Sequence, residues 1–250
     1  DIRHIEDVVA ATKGAYAVIH LAGIVGDPAC ELDHDATNTI NLEATKLIVE
    51  CCKYTKIRRF VFASTCSVYG AADDYTLNEG SMLNPVSLYA ETNLASERIV
   101  FKGFENSPIV PSIVRFATVY GASYRMRFDL VANIMTAKAV KDGKIKVFGG
   151  DQWRPMVHCQ DAAQGLIACM EAPAEKAGFE VFNIGSDEQN YTIEQLGRLV
   201  AGCVPGTEVE LMSEAPDRRS YRVSFEKARQ VLGYHPALTI EEGVAEMKKM

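Results

Sequence analysis

Three side chains at close spacing give this sequence its clearest chemical pattern. Thr65 precedes Tyr89 by 24 residues, and Asn93 follows Tyr89 by four. A threonine hydroxyl can donate and accept hydrogen bonds, and a tyrosine phenol can also lose its proton, with a pKa of about 10 in water. Asn93 can donate hydrogen bonds but carries no charge. These residue types suit a site that shares a proton with the hydroxyl group of a ligand.

Alternating strands and helices are predicted around these three residues. Thr65 directly follows a strand, while Tyr89 and Asn93 lie in one long helix. Such alternation favours a parallel sheet with helices on its faces, which is an α/β fold of the doubly wound type. The predicted elements are a strand at 16–22, a helix at 36–54, a strand at 59–64, a helix at 87–101 and a strand at 112–116.

A second, smaller α/β lobe is predicted from about Gly121 onward. It is interleaved with the first part, since no linker separates the two. Hydrophobic periodicity places its elements. They are helices at 128–141, 161–171, 193–203, 225–232 and 240–250, and strands at 144–148, 156–158, 180–183 and 208–212.

The composition excludes several classes of protein. The 250 residues, 48% of them hydrophobic, are enough for one sizeable core. A formal net charge of -7 argues against a nucleic-acid partner, and the apolar runs are too short to cross a membrane. The start of the sequence is polar and shows no signal peptide, and the seven cysteines contain no CxxC pair. We expect a cytoplasmic protein with reduced thiols and no metal site.

Further motifs occur in a fixed order along the chain. They are DIR at 1–3, VIHLAG at 18–23, NLEAT at 41–45, RFATVYG at 115–121, RPMVHCQD at 154–161, FNIG at 182–185 and APDRR at 215–219. With the threonine and tyrosine motifs, they resemble the NAD-dependent nucleotide-sugar epimerase/dehydratase family of the extended short-chain dehydrogenases/reductases. The resemblance implies a partial dinucleotide-binding (Rossmann-like) domain at 1–121 and a substrate-binding lobe at 122–250.

The resemblance also implies roles for Thr65, Tyr89 and Asn93. Tyr89 would remove a proton from a sugar hydroxyl while a hydride leaves the ring carbon, and Thr65 would share the hydrogen-bond network. Asn93 stands where the family has a lysine whose charge lowers the tyrosine pKa, so impaired turnover is expected. In the family's 4,6-dehydratases two acidic residues follow the threonine, but here Cys66 and Ser67 follow it. Epimerisation or ketoreduction is therefore favoured over dehydration.

A cofactor and a substrate follow from the same resemblance: NAD or NADP, and a nucleotide-diphosphate sugar. Arginines suit the diphosphate because the guanidinium group is a planar bidentate donor. The predicted substrate-binding residues are Thr65, Thr118, Arg154, Arg218 and Arg219. The predicted cofactor-binding residues are Asp1, Ile2, Leu21, Ala22, Gly23, Asn41, Tyr89, Asn93 and Phe116.

The family's glycine-rich G-x-x-G-x-x-G turn is not found in this sequence. The nearest glycines, Gly23 and Gly26, run into Asp27-Pro28, where no helix is expected to open. By the resemblance the sequence would begin after the first two βα units, as in a truncated chain, which puts NAD binding in question. The strand at 16–22 would then be a sheet edge, covered by a partner, by the preceding residues or by self-pairing.

The resemblance also implies how the chain would assemble and which functions it could have. Family members pair the helices that correspond to 36–54 and 87–101, so a homodimer is expected, with no nucleic-acid or membrane partner. Two functions stay open. One is an NAD(P)-dependent epimerase or ketoreductase, and the other is a non-catalytic remnant or scaffold that binds a nucleotide sugar without turnover. Asn93 and the missing glycine turn favour the second.

Overall fold

A computed structural model describes residues 1–213 and 219–250 of the chain. Its strands alternate with helices through most of the sequence. The strands are β1 Ala17–His20, β2 Arg59–Thr65, β3 Ala71–Leu77, β4 Val110–Phe116, β5 Thr118–Tyr120, β6 Lys144–Val147, β7 Trp153–His158, β8 Glu180–Ile184, β9 Asn190–Thr192, β10 Glu208–Leu211 and β11 Ser220–Val223.

The helices range from a single turn to nearly five turns. They are α1 Ile5–Thr12, α2 Asp27–Glu31, α3 His34–Thr37, α4 Ala44–Thr55, α5 Leu88–Phe104, α6 Val131–Asp142, α7 Cys159–Glu171, α8 Ala174–Ala177, α9 Ile193–Cys203, α10 Glu226–Leu232 and α11 Ile240–Met247. A π-helical segment, Asn38–Glu43, joins α3 to α4.

A four-stranded parallel sheet in the order β1-β2-β4-β8 forms the larger part of the molecule. Its strands are rich in apolar residues because helices cover both faces. Alternate residues of β2 show this: Phe60 packs with the α4 and α5 side chains, and Val61 packs with those of α7. β8 comes from the second half of the sequence, so the chain returns to this sheet after building the smaller lobe.

The smaller lobe packs three helices, α6, α9 and α11, against one another and against short strands. Its strands form a β5-β7-β9 sheet and a β6–β10 pair. The core between them is apolar, with Met135, Ile145, Leu196 and Val244 buried. A separate parallel pair, β3–β11, contacts β7 of the β5-β7-β9 sheet.

The predicted succession of elements is confirmed, with shifted ends. One expectation is wrong: a helix does open after Gly26, because α2 begins at Asp27. Pro28 lies in its first turn, where the missing N–H is not needed for a helical hydrogen bond. The sequence predictions did not include α1, β3, β5, β9 or β11.

β1 lies at one edge of the four-stranded sheet and pairs with β2 in the described part of the chain. The residues before it form α1, which packs against α4. α4 and α5 also lie against each other, and the pairing of two copies through them stays a prediction. Within residues 1–213 and 219–250, every helix is too short or too polar to cross a lipid bilayer.

Candidate active site

The carboxyl ends of β1, β2 and β4 open into a cleft of about 500 Å³ between the main sheet and the smaller lobe. Open α/β sheets bind ligands at this end of their strands. Thr65 and Phe116 stand at the ends of β2 and β4 and line the cleft, and Arg154 reaches it from β7. A narrower groove of about 40 Å³ adjoins it, and Tyr89 lines both.

Tyr89 and Thr65 meet at this junction. Tyr89 is the second residue of α5, whose first turn is capped by Ser87, the Ser87 hydroxyl accepting a hydrogen bond from the Ala90 amide at 3.3 Å. Burial raises the pKa of Tyr89 to about 12, against the opposing effects of a hydrogen bond to Thr65 and the charge of Arg127. The structure therefore brings the phenol and the alcohol together, with the phenol protonated at neutral pH.

Thr65 is held by the turn that follows β2. Its hydroxyl donates to the Ser67 hydroxyl at 3.1 Å and accepts from the Ser67 amide at 3.1 Å. Cys66 is buried, and burial raises the pKa of its thiol. Ser67 lines the cleft but Cys66 does not, so an uncharged hydroxyl follows the threonine at the site.

Asn93 lies one helical turn after Tyr89 and lines the groove. Its side chain is buried and donates from Nδ2 to the Tyr89 carbonyl oxygen at 2.8 Å. The amide thus folds back along its own helix and leaves the phenol without a charged neighbour at this position.

The groove is lined by six of the predicted cofactor contacts. Asn41 holds the segment after β1 by two hydrogen bonds with the Ile24 backbone, at 2.8 Å to its amide and 2.9 Å to its carbonyl. A Cβ on Gly23 would lie 3.0 Å from Asn41 Oδ1, so this approach is close. The six residues are Leu21, Ala22, Gly23, Asn41, Tyr89 and Asn93.

A buried imidazole supports the wall of the groove. His20 Nε2 lies 3.1 Å from the Thr45 hydroxyl, which itself donates to the Asn41 carbonyl at 2.7 Å. Since the hydroxyl proton is used, His20 must be the donor, which assigns the proton to Nε2. Burial lowers the pKa of His20 to about 4, so the ring is neutral.

The remaining predicted contacts divide between the cleft and other regions. Phe116 and Thr118 line the cleft. Asp1 instead binds the Arg3 guanidinium at 2.5 Å, and Ile2 packs on the core around α4 and α5. Neither Asp1 nor Ile2 is among the described residues that line the cleft or the groove.

Two predicted arginines line the cleft. The buried Arg154 donates from Nη1 to the carbonyl oxygens of Trp153 at 2.8 Å and Arg219 at 2.5 Å, and its guanidinium lies over the Tyr221 ring. Arg219 forms an ion pair with Asp27 at 3.0 Å. The third predicted arginine, Arg218, lies outside the described residues.

Charged residues that were not predicted as contacts also line the cleft. Asp27 accepts a hydrogen bond from the Ser87 hydroxyl at 2.8 Å, in addition to its ion pair. Arg127 pairs with Asp129 at 2.5 Å, and Lys146 projects from β6. The sequence signal for Asp27 was its position after Gly23–Gly26, a segment that was set aside because no helix was expected there.

Residues 1–185 match the sequence profile of the NAD dependent epimerase/dehydratase family. The chain belongs to this family. The resemblance drawn from its motifs is confirmed, and so is the α/β fold with a parallel, Rossmann-like sheet.

Relatives of this epimerase/dehydratase include the "Uncharacterized UDP-glucose epimerase YtcB" of Bacillus subtilis (strain 168). It is 29% identical over 245 residues, which cover 95% of this chain and 75% of that protein. MoeE5, solved with UDP-glucose and NAD, is 25% identical with a TM-score of 0.85, over 97% of this chain and 81% of that one. The Bacillus cereus UDP-glucuronic acid 4-epimerase, solved with UDP-glucuronic acid and NAD, is 25% identical with a TM-score of 0.87, over 98% and 79%.

A buried ion pair fixes α5, the helix that carries Tyr89, to the main sheet. Glu97 of α5 accepts from Arg115 of β4 through two bonds, at 2.7 and 2.9 Å, and from the Ser64 hydroxyl of β2 at 2.5 Å. The Tyr69 hydroxyl accepts from Arg115 at 3.1 Å and donates to Asn183 at 2.8 Å. Since Ser64 adjoins Thr65, this network sets the distance between Thr65 and the helix that carries Tyr89.

Proposed function

We propose that the chain acts as an NAD-dependent epimerase or ketoreductase on a nucleotide-diphosphate sugar, with hydride transfer at a sugar ring carbon. The observation that carries the proposal is the place of Tyr89, which lines both the groove and the cleft and lies beside Thr65. A proton acceptor must lie within hydrogen-bond reach of the sugar hydroxyl while the ring carbon faces the cofactor. Two structural neighbours hold NAD and a UDP-sugar together.

The groove fits the nicotinamide end of the cofactor. Leu21 directly follows the parallel strand β1 and lines both the groove and the cleft. Its side chain is 59% exposed, so it offers an apolar surface on which the planar nicotinamide ring could pack. Leu21, Ala22 and Gly23 would support the cofactor, and Asn41 would hold their backbone in place. When bound, NAD supplies the hydride acceptor. Residues 1–121 would form this side, and 122–250 most of the opposite side.

Tyr89 would accept the proton of the sugar hydroxyl, with Thr65 orienting that hydroxyl. A phenol with a pKa of about 12 is almost fully protonated at neutral pH, so the reactive phenolate is scarce. Asn93 is uncharged and so cannot lower the pKa of Tyr89 as a neighbouring cation would. Turnover is therefore expected to be slow and to increase as the pH rises toward the pKa.

The cleft fits an anionic nucleotide on the side of the smaller lobe. Arg154 and Arg219 would bind the diphosphate, Thr118 would contact the sugar, and Phe116 would contact the cofactor. Because the uncharged Ser67 follows Thr65 in the cleft, a general acid for eliminating water is lacking at that position. Epimerisation or ketoreduction is favoured over dehydration for that reason.

A second candidate function is a non-catalytic binder of nucleotide sugars. The folded-back amide of Asn93 and the raised pKa of Tyr89 favour it, because both keep the phenol protonated. Binding of the diphosphate does not need the phenolate. A non-catalytic binder would therefore still bind the nucleotide sugar in the cleft but would not transfer a hydride to NAD.

Calorimetry and absorbance separate the two functions. UDP-glucose and NAD are titrated singly and together. The near-ultraviolet absorbance of reduced nicotinamide is followed over many hours at pH 7 and pH 9, and the sugar is analysed for an epimerised product, because an epimerase returns the hydride and leaves NAD oxidised. Slow reduction or slow epimer formation that is faster at pH 9 supports the enzyme. Binding of UDP-glucose with neither reduction nor epimer formation at either pH supports the binder, and binding of neither ligand removes both proposals.

A further inference from the structure

Arg127 reaches across the mouth of the cleft, from the loop before α6 to the segment that follows β1. Its Nη2 donates to the Val25 carbonyl at 3.2 Å. The guanidinium lies so close to Gly26 that a Cβ there would be 2.9 Å from Nη2. Gly26 has a φ of +94°, so a larger residue would also be strained in this backbone conformation.

The segment that Arg127 contacts is also bonded to the start of the helix that carries Tyr89. Asp27, the next residue, accepts from the hydroxyl of Ser87, and Ser87 caps the helix in which Tyr89 is the second residue. Arg127 and Tyr89 thus flank one short stretch of chain and line the same cleft.

We propose that Arg127 supplies Tyr89 with the positive charge that position 93 lacks. The inference rests on the proposed function, because it assigns an electrostatic role to a residue beside the proposed proton acceptor. A cation near a phenol stabilises the phenolate relative to the neutral form. Here the cation acts from the substrate side of Tyr89, opposite Asn93.

The groups around Tyr89 agree with this assignment. Burial raises the pKa of Tyr89, while the contact with the Thr65 hydroxyl and the charge of Arg127 lower it, and Cys30 and Asp27 raise it. The pKa of Cys30 is itself raised by burial, so that thiol is neutral at ordinary pH. Asp27 is paired with Arg219, which reduces its effect on the phenol.

Asp129 moderates the charge of Arg127. It binds the guanidinium through both oxygens, at 2.5 Å to Nη2 and 3.2 Å to Nε. This pair holds the arginine in place and also partly cancels its field at Tyr89. Removing the Asp129 charge while keeping its shape should therefore increase the effect of Arg127.

Fluorine NMR of fluorotyrosine-labelled protein tests the proposal without any ligand. Fluorination lowers each phenol's pKa into a range where the fold persists, and a Tyr89→Phe variant assigns the resonance. Arg127→Gln should raise the pKa of Tyr89 by on the order of one unit, and Arg127→Lys should largely restore it. Asp129→Asn should lower it. Arg125→Gln, which removes the same charge from an exposed neighbour, should leave it unchanged.

The proposal is overturned if Arg127→Gln shifts the pKa of Tyr89 no more than Arg125→Gln does. It is also overturned if Arg127→Lys behaves like Arg127→Gln, since shape and not charge would then be responsible. Should Arg127→Gln fail to fold, an unshifted pKa in Asp129→Asn decides against it. If Arg127→Gln raises the pKa of Tyr89 in a protein that neither reduces NAD nor epimerises UDP-glucose, this inference is retained and the proposed enzyme is removed.

Discussion

The two compartments that meet at Tyr89 differ in charge. In the described part of the chain, the groove is lined by apolar and uncharged polar side chains, with no Asp, Glu, Lys or Arg. Among the described residues, six charged ones line the wider cleft. They are Asp27, Arg127, Asp129, Lys146, Arg154 and Arg219.

This difference in charge indicates that the two compartments bind their ligands by different interactions. The groove relies on shape and on hydrogen bonds such as those of Asn41, whereas the cleft relies on ion pairs that an anionic ligand can exchange. With Asn93 in place, electrostatic help for the phenol must come from the cleft side. Four experiments test this difference between the groove and the cleft.

Replacing Tyr89 by Phe tests whether the junction is the reactive point. We expect the rate of NAD reduction to fall by about a hundredfold or more, because the proton acceptor is lost. Affinity for UDP should be unchanged, since the arginines are intact. Single-turnover absorbance and calorimetry measure the two quantities. Tyr54→Phe, at an exposed position on α4, is the control, and an unchanged rate in Tyr89→Phe would refute the assignment.

His20 tests whether the groove side stays neutral in acid. Its pKa is about 4 in the folded protein, against about 6.5 when unfolded, so below pH 6.5 the unfolded state binds the extra proton. Stability is therefore complete above pH 6.5 and falls toward pH 4, by up to about 3 kcal/mol. Urea unfolding across this range should show the loss in the wild type and less of it in His20→Gln.

The control for that experiment is the exposed His34, whose replacement by Gln should leave the acid dependence unchanged. An identical pH dependence in His20→Gln and wild type would show that the buried ring is not the source of the acid sensitivity.

Placing a cation in the groove should narrow the contrast between the compartments. Asn93→Lys is expected to lower the pKa of Tyr89 by about one unit and to raise the rate at pH 8 about tenfold, because more phenolate is present. The rate profile should shift to lower pH. Asn93→Gln, longer but uncharged, separates charge from length. A lysine variant no faster than the glutamine variant would count against Tyr89 as the base.

Exchange of ion pairs in the cleft gives the smallest expected effects, with opposite signs. Arg219→Gln should weaken UDP binding about fivefold, because a charged hydrogen bond to phosphate is lost. Asp27→Asn should strengthen it about threefold, because the carboxylate that pairs with Arg219 at 3.0 Å then no longer competes with the phosphate. Ser87→Ala removes the other bond of Asp27 but keeps its charge, and serves as the control. Weaker binding in Asp27→Asn would contradict the exchange.

Local patterns predicted the fold better than they predicted the charges of the site. Strands such as β2 and helices such as α5 follow from hydrophobic periodicity within a few residues of sequence. The motif at Thr65 and Tyr89 also specified which ends of which elements meet. The pairing of Asp27 with Arg219 joins residues nearly 200 positions apart, and no local pattern specifies it. α2 was missed because the glycines before it suggested a loop, although Pro28 was the available signal.

The π-helical segment Asn38–Glu43 lets this helix tolerate a one-residue deletion that would nevertheless alter the groove. A π turn holds one residue more than regular winding, and here the Asn41 carbonyl accepts from the hydroxyls of Thr45 and Ser96 at 2.7 and 2.9 Å. Deleting one residue within it would let α3 and α4 join as one regular helix with both halves in phase. Asn41 would then lose its two hydrogen bonds with the Ile24 backbone. Such a chain would still fold, but its groove would have a different shape.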